Sequence, residues 1–207
     1  MAGADQGPDR RIGAIVLAGG RSSRFGRDKL VEPIDGRPML IRTVAAVAAV
    51  AADIVVVTGV DADPAVTAGL PPAIRIVHDD VAYGGPLLGL LAGLAALRPG
   101  SVAVVAGGDM PWLRSDVLAS LVAALDPGHD ATALELAGRG QQLPVALRRD
   151  AGLAAARRLI DLGERRLGAL LEALDGALIA EETWRILDPA GDTLRDVDTP
   201  GDLAAPG

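Results

Sequence analysis

The stretch IVLAGGRSSRFGRDK, residues 15–29, runs from apolar residues into two glycines. It then packs three arginines, two serines, an aspartate and a lysine into nine residues. The apolar part, IGAIVLA at 12–18, reads as a strand buried on both faces. Gly19 and Gly20 let the backbone approach a ligand closely, with positive φ available. Successive backbone N–H groups at such a turn form a nest for anions. Arg21, Arg24, Arg27 and Lys29 add positive charge, so phosphate is the guest this chemistry suits.

Outward from this stretch, short β-branched runs alternate with alanine- and leucine-rich stretches of helical length. The pattern predicts a helix over 37–50, strands over 53–59 and 73–79, a helix over 86–97, a strand over 101–109 and a helix over 114–125. Pro38 and Pro86 stand near helix starts, where their missing N–H costs nothing. Beyond 125, HDATALEL and QQLPVALRR read as a hairpin or two edge strands. Residues 150–163 and 164–174 read as helices, and DGALIAEE and TWRILD as a last strand pair. Alternation from 12 to 125 implies βαβ units. The expected fold is α/β, with a mostly parallel sheet and helices on both faces. One domain is expected over 11–207, behind a flexible tail at 1–10. Ligands of such sheets bind outside the carboxyl ends of the strands, which puts AGGRSSRFGRDK at the mouth of the site.

Composition narrows the function. The net charge of −7 argues against a nucleic-acid binder. With no cysteine and two histidines, disulfides, thiolate zinc sites and a cysteine nucleophile are excluded. No run of about 18 apolar residues is uninterrupted, and the start lacks the apolar core of a signal peptide. A cytoplasmic protein without a membrane partner is expected. Lys29 is the only lysine in a chain whose Lys and Arg total 20. A coding bias towards arginine accounts for that composition. A lysine that persists against such a bias suits a position needing a compact ammonium rather than a planar fork.

Two familiar phosphate loops do not fit. The Walker A pattern places four residues between its glycines, whereas five separate Gly20 from Gly26. Gly19-Gly20-Arg21 also fails the G-x-G-x-x-G fingerprint. LAGGRSSRFGRDK instead resembles the signature loop of the nucleotidyltransferases. Within them the chain is most similar to the molybdenum cofactor guanylyltransferases and their cytidylyl relatives. GGPLLGLLAGLAAL, VVAGGDMPWL, LGERRLGALLEAL and DVDTPGDL resemble further segments of that family, in order along the chain.

The resemblance implies a Rossmann-like nucleotidyltransferase fold and a Mg²⁺-dependent reaction. A phosphate oxygen of the acceptor attacks the α-phosphorus of GTP, and pyrophosphate leaves. It implies a nucleotide site at Leu17, Ala18, Gly19, Gly20, Thr58, Asp79 and Gly85. Lys29 would contact the α-phosphate and Arg24 the departing pyrophosphate. Asp109 would bind the metal, with Asp198 as second carboxylate and Asp196 as its alternative. Asp109 also reads as a turn or capping aspartate, Asp198 as the cap of a helix near Pro200, and Asp79 as a turn residue. Gln142, Pro144, Arg165 and Arg166 would face a molybdopterin-type phosphorylated acceptor, although the two arginines equally suit a solvated helix. The L-A-G-G loop favours GTP, whereas Thr58-Gly59 matches the cytidylyl form, so CTP stays open. So does another phosphorylated acceptor. An apo-molybdoenzyme or its chaperone is a further implied partner. A non-catalytic protein that delivers the cofactor is the competing class, and the retained Lys29, Arg24 and Asp109 argue against it.

Overall fold

Ile12–Leu17 forms β1 in a computed structural model that describes residues 11–19, 28–79 and 84–203. Alternate side chains serve opposite faces of the sheet. Ala14 and Val16 enter one core, and Ile15 enters the other. A 3-10 turn at Lys29–Val31 leads into a small hairpin, β2 (Pro33–Ile34) and β3 (Arg37–Pro38). Asp35 and Gly36 both have positive φ there, as a two-residue hairpin loop requires. Then follow α1 (Met39–Ala48), β4 (Asp53–Gly59), β5 (Arg75–Asp79), α2 (Pro86–Ala96), β6 (Val102–Gly107) and α3 (Ser115–Ala124). The second part of the chain supplies β7 (Ala131–Leu136), β8 (Arg139–Arg148), α4 (Arg149–Asp161), α5 (Leu167–Ala173), β9 (Gly176–Ile179) and α6 (Glu181–Trp184).

The seven long strands form one sheet in the order β5-β4-β1-β6-β8-β7-β9. β5, β4, β1 and β6 are mutually parallel, and β8 runs antiparallel to both β6 and β7. β9 is parallel to β7. Helices α1 and α3 cover one face, while α2, α4 and α5 cover the other. This is the expected mostly parallel α/β sheet. α2 lies very close to β1: a Cβ on Gly93 would come within 2.6 Å of an Ile15 methyl. No helix among the described residues is long and apolar enough to cross a membrane.

The structure corrects three expectations. Arg37 and Pro38 belong to β3, so α1 begins only at Met39. The β7–β8 hairpin is not at an edge but sits between β6 and β9. Residues 183–188 form no strand. Trp184 is fully buried while Ile186 is 79% exposed, and a strand would aim both the same way. The helical turn lets Trp184 Nε1 donate to the Glu135 carbonyl at 2.8 Å and pairs Arg185 with Glu181.

Candidate active site

The carboxyl ends of the parallel strands meet at one edge. Leu17 lies opposite both Val57 and Gly107, and Gly59 lies opposite Asp79. The chain proceeds from β1 outward to β4 and β5, then returns to β6 on the other side of β1. The crevice of an open α/β sheet opens where the order reverses, here between β1 and β6. Asp109 stands at that reversal, two residues beyond β6. Gly107, which ends β6, and Gly108 have specific reasons. A Cβ on Gly107 would lie 2.5 Å from Asp109 Oδ1, in the space the carboxylate occupies. A Cβ on Gly108 would press on Leu40, Leu30 and the Leu17 carbonyl.

Lys29 arrives from the opposite side of the reversal. Asp28 caps its 3-10 turn by accepting from Leu30 N at 3.0 Å, and Leu30 is buried in the core. The Lys29 ammonium donates to Asp109 Oδ2 at 2.9 Å, to the Val197 carbonyl at 2.7 Å and to Asp198 Oδ1 at 3.2 Å. Partial burial works to lower its pKa. The hydrogen bonds and charges of Asp109 and Asp198 outweigh that and raise it. Asp196 has its pKa raised, first by partial loss of water and then by the charge of Asp198.

The segment carrying Asp198 is held by residues that sequence reading did not single out. Buried Asp188 accepts from the backbone N–H groups of Gly191, Asp192 and Thr193 at 3.1, 3.1 and 2.7 Å. Thr193 Oγ1 accepts from Arg114 N, and the Arg195 guanidinium lies 4.2 Å from the centre of the Trp112 ring. Val197 N donates to the Asp109 carbonyl at 3.0 Å. The turn after Asp198 is capped by Asp202, which accepts from Asp198 N and Thr199 N. The Asp198 carboxylate accepts from the Lys29 ammonium.

At the β1–β4–β5 edge, Ala18 N donates to the Val57 carbonyl at 2.7 Å. Gly19 lies beside Gly59, with 3.8 Å from the position of a Cβ to Gly59 N. Thr58 is buried, and its hydroxyl is 2.9 Å from His78 Nδ1. Asp79 ends β5. Gly20 and Arg24 lie outside the described residues, as does the expected tail at 1–10.

β8 runs against β6, with Val145 opposite Val105, so its earlier residues reach the same edge of the sheet. A Cβ on Gly168, at the start of α5, would come within 3.0 Å of Gln142 Nε2 there, while Pro144 follows a cis peptide bond. Gly85, at φ +93°, precedes α2 and packs on Arg165, whose carbonyl accepts from Leu87 N at 3.3 Å. The Arg165 guanidinium turns back to the Ile160 and Glu164 carbonyls at 3.1 and 2.7 Å. Arg166 is exposed and pairs with Glu164 at 2.7 Å. The Arg166 side chain and two backbone N–H groups pull the Glu164 carboxyl down to about 2. Glu164 was not foreseen, although its place beside two arginines was a usable signal.

A cation between two carboxylates at the reversal of an open, mostly parallel sheet suits the handling of nucleotide phosphates. An open α/β sheet of this order takes its ligands at that reversal. The sequence profile of the MobA-like NTP transferase domain matches residues 14–178, and the chain belongs to that family. It is 33% identical over 196 residues to the probable molybdenum cofactor guanylyltransferase of Chloroflexus aggregans, covering 93% of this chain and 91% of that protein. Identity to the molybdenum cofactor guanylyltransferase of Xanthomonas euvesicatoria is 37% over 163 residues, 77% of this chain and 78% of the relative. The molybdopterin-guanine dinucleotide biosynthesis protein A of Archaeoglobus fulgidus shares the fold. Its TM-score is 0.76 at 23% identity, covering 92% of this chain and 94% of that one. The protein is a nucleotidyltransferase.

Proposed function

We propose that this enzyme transfers GMP from GTP to a molybdopterin-type phosphorylated acceptor and releases pyrophosphate. The observation that carries the reading is the Lys29 ammonium held between Asp109 and Asp198 at the strand-order reversal. The names borne by the relatives supply the acceptor and the base. The bond that forms joins an acceptor phosphate oxygen to the α-phosphorus, and the bond that breaks joins that phosphorus to the β-phosphate bridge. The nucleophile is already an anion, so no general base is required. The obstacle is repulsion between anions, which positioned charge relieves.

Lys29 would supply a mobile point charge at the α-phosphate, and Arg24 would hold the leaving pyrophosphate by bidentate bonds. Leu17, Ala18, Gly19, Gly20, Thr58, Asp79 and Gly85 would line the nucleotide. Thr58 would act through its backbone, since its hydroxyl already meets His78. Gln142, Pro144, Arg165 and Arg166 would face the acceptor. Asp109 and Asp198 bring two hard oxygens to one cation position, a donor set that fits Mg²⁺ with its other positions on water and phosphate. Mg²⁺ held there would neutralise phosphate charge during displacement. Handover to an apo-molybdoenzyme or its chaperone in the cytoplasm would follow.

The test is pyrophosphate release with GTP or CTP, Mg²⁺ and molybdopterin. GTP should be preferred by about 10- to 100-fold in kcat/KM, the cost of a buried polar group left unpaired by the wrong base. Preference for CTP would reassign the base. No release with either nucleotide would favour a cofactor-delivery protein.

A further inference from the structure

The position of Lys29 raises a question that the transfer reaction does not answer. Its ammonium rests on the two carboxylates assigned above to a divalent cation. We propose that Lys29 and the divalent cation compete for the Asp109–Asp198 pair. In the free enzyme the lysine itself closes the metal site. The metal enters with the triphosphate, which draws the ammonium away. This inference rests on the reading of Asp109 and Asp198 as metal ligands.

Three observations support it. First, both carboxylate oxygens converge on one nitrogen, at 2.9 and 3.2 Å, so a second cation on those same oxygens would meet the ammonium. Like charges at such a distance repel strongly in a partly desolvated site, and the Lys29 side chain is only 16% exposed. Second, the backbone on both sides of the ammonium is anchored, whereas a lysine stem has four rotatable bonds. Val197 O, the third acceptor, is anchored because Val197 N donates to the Asp109 carbonyl. The Lys29 backbone is pinned by the Asp28 cap and by buried Leu30. The four-carbon stem is the part able to move. Third, the two carboxylates cannot sit together unneutralised without repelling each other. Some cation must balance them when no metal is present, and Lys29 does so.

The device would order binding. A free divalent ion would face a site with its own positive charge in place. The metal–triphosphate complex brings phosphate oxygens that offer the ammonium a new partner. Lys29 then moves from the acids to the phosphate, where the transfer step uses it. Metal affinity and triphosphate affinity are thereby coupled, each raising the other by the same factor.

The experiment measures Mn²⁺ binding to the full chain by calorimetry and electron spin resonance, with nucleotide absent. Lys29→Met should bind Mn²⁺ at least about tenfold more tightly than the wild type, a conservative figure for removing one competing charge at contact distance. Its melting temperature should also rise more with added Mg²⁺. Lys29→Gln guards against a folding defect specific to methionine. Adding a non-hydrolysable GTP analogue to the wild type should tighten Mn²⁺ binding towards the Lys29→Met level. Adding Asp109→Asn to Lys29→Met should abolish the gain. If Lys29→Met and wild type bind Mn²⁺ equally, and Asp109→Asn weakens both, the competition is overturned while the ligand assignment stands. If Asp109→Asn changes Mn²⁺ binding in neither background, the ligand assignment falls as well.

Discussion

The β5-β4-β1-β6 half of the sheet and the β8-β7-β9 half build their parts of the edge differently. In the first half all strands are parallel, their carboxyl ends fall within two residues of one another, and the candidate site side chains lie just beyond strand ends. Asp109 and Lys29 meet there, with Asp198 brought in from the far end of the chain. In the second half β8 runs the other way, so the site positions come from a strand body and from helix starts. Gln142 lies within β8, and Arg166 immediately precedes α5. Charge in the first half is shared on one ammonium, whose side chain is 16% exposed. Charge in the second half stands in solvent, where Arg166 has 70% of its side chain exposed. A partly desolvated cluster acts on a developing transition state more strongly than an exposed pair does. The halves should therefore differ in which kinetic constant they control.

The largest effect is expected from Asp109→Asn. It keeps the shape and removes the charge, and kcat should fall by about 100-fold or more, in line with the loss of one electrostatic contact to the transition state. Melting temperature should stay close to the wild-type value. Near-normal turnover at saturating Mg²⁺ would remove Asp109 from the chemistry and break the contrast at its stronger end.

A smaller and different change is expected from Arg166→Ala. Acceptor KM should rise by about tenfold, the order of one lost charge-assisted hydrogen bond. GTP KM should stay within about twofold. A rise in both would mean that the halves do not divide the substrates.

The smallest effect is on acid stability. The Glu164 carboxyl is held at about 2, so folding favours its ionised form. Its contribution is present above about pH 4.5, the value for an unperturbed glutamate, and is lost as pH falls towards 2. Wild type should melt slightly above Glu164→Gln at pH 7. The gap should narrow below pH 4.5 and close near pH 2. A gap independent of pH would show that shape, not charge, makes the contribution.

The contrast between the halves also marks how far the sequence could be read. β1, β4 and β6 were legible because strands buried on both faces are continuous apolar runs. The sequence singled out Asp109 as a carboxylate ending such a run and Lys29 as the sole lysine, and the structure brings the two within 2.9 Å of each other. The second half was less so. Periodicity identified β7 and β8 as strands but carried no information about their neighbours, and pairing with β6 placed them inside the sheet. The helical turn at Glu181–Trp184 escaped for a similar reason, since a bulky indole suits a strand until its burial and its bond to Glu135 are known.

By itself, then, the sequence determined the α/β class and the identity of the charged residues that follow the first strand. Those follow from local periodicity and from which side chains exist. Only the tertiary structure decided that Asp198, 169 residues from Lys29, shares its ammonium with Asp109. That meeting depends on the buried Asp188 turn, on Arg195 over Trp112, and on the Val197–Asp109 backbone bond. Each joins segments far apart in the chain, and their charges become one site only when folding removes enough water for them to act on each other.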